Sequence, residues 1–67
     1  MLWQLRSMSN TILAEDYHQI NLLKKINELK VDDFILVLLH DSSIRERYIL
    51  TVKSKGKPID FTLKRTD

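Results

Sequence analysis

The sequence predicts an α+β domain in which one main helix packs on a three- or four-stranded, mostly antiparallel sheet in the order (β)-α-β-β-β. Three observations carry this. Apolar residues recur at helical spacing over Tyr17–Lys30, the period switches to two beyond Val31, and two turn-forming clusters divide the second half into three segments.

The helix is the stretch "YHQINLLKKINELK". Leu22, Leu23, Ile26 and Leu29 fall on one side, and Lys24 and Lys25 lie away from that stripe. Asp16 followed three residues later by Gln19 has the pattern of a capping box, and Lys30 suits the negative end of the helix dipole. Ile12, Leu13, Tyr17 and Ile20 also recur at helical intervals, but their stripe points away from the later one. A single straight helix would then be apolar on both sides. A break near Asp16 follows, leaving "TILAED" as a turn, a short strand or a separate helical turn, and residues 1–15 as an N-terminal arm or short strand.

The first extended segment is "DFILVLLH", with Phe34, Leu36 and Leu38 on one face and Ile35, Val37 and Leu39 on the other. "DSSIRE" reads as a turn cluster. "RYILTVKS" alternates Tyr48, Leu50 and Val52 against Arg47, Thr51 and Lys53. Gly56 and Pro58 mark a second turn, and "IDFTLKR" turns Ile59, Phe61 and Leu63 inward.

The 67 residues make one domain, 1–67, of a size at which folding buries only about 60% of the chain's surface. Chains this small usually need disulfides, a metal, unusually good packing or a partner. Cysteine is absent, which excludes disulfides and thiolate metal sites and suits the cytoplasm. The two histidines are too few for a histidine cage, so no metal or other cofactor is expected and assembly is the expected staple. No apolar run approaches the roughly 18 residues of a membrane span. Met8-Ser9-Asn10 also reads as a start in its own right, which would make residues 1–7 an extension.

In a plain meander Asp33–His40 would lie at an edge, where a flat apolar strand templates aggregation. One helix covers only one sheet face. Ile35, Val37, Leu39 and Ile49 on the other would forgo about 1.5–3 kcal/mol each if left in water. Two covers are available. Leu2, Trp3 and Leu5 can form a strand beside Asp33–His40 with the helix as a parallel crossover. A second copy or another protein can pack on the face or extend the edge. The expected interface is therefore Ile35, Val37, Leu39 and Ile49, with Trp3 as a core wedge or interface anchor.

Nothing points to catalysis. "HDSS", His40–Ser43, holds the residue types of a nucleophilic triad, but neighbours on a strand point to opposite faces and cannot converge. Asp32-Asp33 and Glu15-Asp16 lack calcium-loop spacing, and a single glycine leaves no phosphate loop. The expectation is a non-enzymatic regulatory protein acting through protein–protein binding as a homodimer, with no small-molecule substrate. The alternative is nucleic-acid binding through Lys53, Lys55 and Lys57 at a hairpin tip, with Lys64 and Arg65 nearby. Against it stand a net charge of only +2 and the absence of an interleaved aromatic platform.

Overall fold

A computed structural model describes residues 1–67. The chain runs β1 (Leu2–Arg6), β2 (Ile12–Asp16), α1 (Gln19–Ile26), β3 (Asp33–His40), β4 (Ser43–Ser54) and β5 (Asp60–Arg65). The α+β class is as expected, but the sheet has five strands, in the order β2-β1-β3-β4-β5 with every neighbouring pair antiparallel. No helix is long and apolar enough to cross a membrane.

The N-terminal residues account for the two additional strands. Leu2–Arg6 does lie beside β3, with Leu5 opposite Leu36, but antiparallel to it and not parallel. The reason is β2, which reverses the chain before the helix begins. The crossover through α1 therefore joins β2 to β3, two parallel strands with β1 between them. β3 is consequently the central strand and not an edge, and β1 is interior, so residues 1–7 are integral to the sheet.

The turns show why the strands pair as they do. Ser7 N–H donates to Thr11 O at 2.8 Å and Asn10 N–H to Ser7 O at 2.8 Å, with Asn10 at φ 72° closing the β1–β2 hairpin. His40 pairs with Ser43, so Asp41 and Ser42 alone form the β3–β4 loop, at φ 50° and 66°. Two positive φ values in a two-residue loop match the twist of the flanking strands. The turn is thus shorter than "DSSIRE", and Ile44 to Glu46 belong to β4.

The helix is also shorter than its apolar pattern. Asp16 Oδ1 accepts from His18 N–H at 2.8 Å and from Asn21 Nδ2 at 3.1 Å, so it holds the turn before α1, while the capping position itself is His18. Those two donors, the backbone one first, hold the Asp16 carboxyl below its ordinary pKa. After Ile26 the chain tightens: Glu28 N–H bonds Lys25 O at 3.0 Å and Leu29 N–H bonds Ile26 O at 3.0 Å. Such turns keep Leu29 on the core side, which is why the periodicity reads on to Lys30 although the helix ends at Ile26.

Between helix and sheet lies the core: Leu5, Leu22, Ile26, Phe34, Leu36, Leu50 and Val52, with Trp3, Ala14, Leu23, Leu29, Tyr48, Ile59 and Phe61 packed against it. Trp3 thus packs against the core and is only partly buried. Leu63, expected inward, is 39% exposed because the helix docks on β1 and β2 and leaves the far side of the sheet without a helical cover.

Candidate protein-binding surfaces

On the face away from α1 the register lines up Gln4, Val37 and Arg47 in one row, and Arg6, Ile35, Ile49 and Lys64 in the next. Directly opposed residues share a face and touch. Gln4 Nε2 donates to Glu15 Oε2 at 3.0 Å, and Gln4 Oε1 accepts from Arg6 Nη2 at 2.7 Å and from Arg6 Nε at 3.1 Å. Arg6 Nη1 reaches on to Asn10 Oδ1 at 3.2 Å. This network fixes Gln4 and Arg6, the cross-strand neighbours of Val37 and Ile35, on that face.

The consequence is that Ile35 is 3% and Val37 1% exposed in a single chain. Their cover is supplied by β1 and β4, so the premise that more material is needed there does not hold. Leu39 and Ile49 remain half-buried. A compact 8.0 kDa monomer is expected to expose about 4,450 Å², and this chain exposes 4549 Å². No large apolar face awaits a partner as a condition of folding. Pairing through the β3 edge is closed as well, because both sides of β3 are already bonded.

Exposed apolar side chains also occur on and beside the free edge of β2. Met8 is 52% exposed, Ile12 52%, Leu13 39% and Tyr17 73%. They run from the β1–β2 turn to just past the strand, a region from which sequence periodicity alone drew no interface. The other edge, β5, differs. Pro58 precedes it, and Lys64 and Arg65 lie within it, the usual guards against strand addition.

The basic residues divide into engaged and free. Arg65 pairs with Asp67 (Nε to Oδ1, 2.6 Å) and stands 3.9 Å from Glu46 and 5.9 Å from the centre of the Tyr48 ring. The carboxylate of Asp67 raises the pKa of Arg65, and the guanidinium lowers that of Asp67 in return. Tyr48 O–H donates to Glu46, which raises the phenol's pKa. Lys55 donates to Leu29 O and lies 3.9 Å from Asp32. Lys53, Lys57 and Lys64 have no carboxylate within ion-pairing distance.

His40 Nε2 stands 3.3 Å from Asp41 Oδ2 on the exposed β3–β4 turn, and no hydroxyl is bonded to this pair. No group of three or more histidine, cysteine or acidic residues converges as a metal site. Comparison with protein-family models, with curated proteins and with solved structures finds no match to this chain.

Proposed function

We propose that this chain is a small non-enzymatic interaction protein that binds other protein chains by strand addition at β2, a second copy of itself being the partner. The observation that carries this reading is the unpaired edge of β2, a strand with no lysine, arginine or proline in it, on which Ile12 and Leu13 stand exposed, one on each face. Added strands draw affinity from main-chain hydrogen bonds and specificity from alternate side chains. A two-fold axis at Ala14 would set Ile12 and Leu13 of each copy across from Asp16 and Glu15 of the other. No carboxylate then meets a carboxylate, and both copies use the same edge, as closed symmetry requires.

Light scattering on the full chain tests this. The expected mass is twice that of the chain at high concentration, falling to the single-chain value for the Ile12→Lys/Leu13→Lys variant. A wild-type protein that stays monomeric at millimolar concentration would refute self-association.

A second reading, nucleic-acid binding, draws on the unpaired Lys53, Lys57 and Lys64, with Arg47 on the same sheet face as Lys64. It requires retention on DNA or RNA that falls steeply with salt and is lost when those lysines become glutamate.

A further inference from the structure

A groove of about 740 Å³ separates α1 from the turn between β4 and β5. It exists because the helix sits closest to β1 and β2, which leaves a gap between α1 and β5. Ile20, Leu23, Pro58, Ile59 and Phe61 supply its apolar lining, and Ile20, on the first turn of α1, is 60% exposed.

The groove is braced at one end. The Asn27 side chain donates to Gly56 O at 3.0 Å and accepts from Gly56 N–H at 3.1 Å, a two-bond clamp between the helix terminus and the turn. Lys55 adds a bond to Leu29 O from the same turn. Gly56 holds φ +143°, a conformation that side-chain-bearing residues rarely adopt, although an added Cβ would meet nothing closer than Pro58 O at 3.9 Å. Backbone geometry, not space, therefore requires glycine there. A cavity whose walls are already tied together loses little freedom on binding.

Its rim is positive. Lys24 and Lys57 line it with no carboxylate within ion-pairing distance, and the one lining carboxylate, Glu28, is held by Lys25 at 3.2 Å. The groove is open to solvent beside Ile20, which stands exposed on its wall. A hydrocarbon tail needs most of its surface enclosed, whereas a peptide can lie across an open groove and insert side chains from one face.

We propose that this groove docks an acidic peptide segment of a partner protein, its large apolar side chains entering between Leu23 and Phe61 and its flanking carboxylates meeting Lys24 and Lys57. This surface is distinct from the β2 edge and does not depend on self-association.

The test is an amide NMR titration of the full chain with a labelled peptide of about eight residues, Phe and Leu at its centre and Asp and Glu on both sides. Shifts are expected at Leu23, Lys24 and residues 56–61. The Lys24→Glu/Lys57→Glu variant, whose fold is checked by its own spectrum, should weaken binding by about tenfold or more, or about 1.4 kcal/mol. A peptide with lysine in place of the acids should not bind. Any of four results would overturn the proposal: no shifts at millimolar peptide, equal binding of the lysine peptide, shifts confined to β2, or decanoate occupying the groove where the peptide does not.

Discussion

The two faces of the sheet bury their apolar residues by different means. Against α1, seven side chains form a buried cluster, with Leu5, Ile26, Phe34 and Leu50 each at 0% exposure. On the opposite face Ile35 and Val37 are nearly as well hidden, yet no second layer of structure lies above them. Their neighbours across the strands do the covering, through Gln4, Arg6 and Arg47 laid against them in register. Burial in a sheet is thus set by strand order as much as by layers. A central strand has a neighbour on each side, and an edge strand has only one.

Removing residues 1–7 strikes both faces together and is expected to have the largest effect. Both covers go, because β1 carries Leu5 in the core and Gln4 and Arg6 on the far side. Circular dichroism and amide NMR should show loss of the folded state. A shortened chain with native-like dispersion would show that β1 is dispensable.

Truncation within β3 separates the faces. Phe34→Ala should cost about 3–5 kcal/mol in urea unfolding. Val37→Ala removes less volume but should still cost about 1–2 kcal/mol, because its site is closed by the chain's own side chains. A Val37→Ala cost within the ±0.5 kcal/mol typical of surface positions would mean that the polar cover is no real shield.

Gln4→Ala sharpens the point, since Gln4 joins Arg6 to Glu15. About 1–2 kcal/mol should be lost, and the amides of Ile35 and Val37 should exchange faster with solvent. Unchanged exchange at both would place their protection elsewhere.

The smallest effect is expected at the β3–β4 turn, on neither face. Ser42 occupies the left-handed region at φ 66°, where glycine carries no steric penalty. Ser42→Gly should leave both faces intact and change stability by less than about 1 kcal/mol. A large loss would reveal a role for the serine hydroxyl.

The segments from Val31 onward could be read from the sequence because they obey a period of two over several residues with breakers between them. Residues 1–15 were harder. Leu2–Arg6 and Ile12–Asp16 are five residues each, too short for a period to declare itself, and Ile12, Leu13, Tyr17 and Ile20 mimic a helical stripe. The binding surfaces were less legible still. Ile35 and Val37 look like interface residues only if β3 stands at an edge, and Lys55 and Arg65 look free until Leu29, Asp32 and Asp67 are brought beside them.

Composition and periodicity by themselves determined the α+β class, the meander from Asp33 to Arg65, the core-facing positions Phe34, Leu36, Leu50 and Val52, and the absence of thiolate chemistry. These follow from local rules, since the face a side chain takes depends on its own strand's pleat. Strand order was decided only in three dimensions. Placing β1 between β2 and β3 depends on contacts between residues more than thirty positions apart, such as Leu5 with Leu36. That choice covered Ile35 and Val37 from within and moved the free edge to β2. No local pattern encodes which strand will be a neighbour, and that neighbour decides what water can reach.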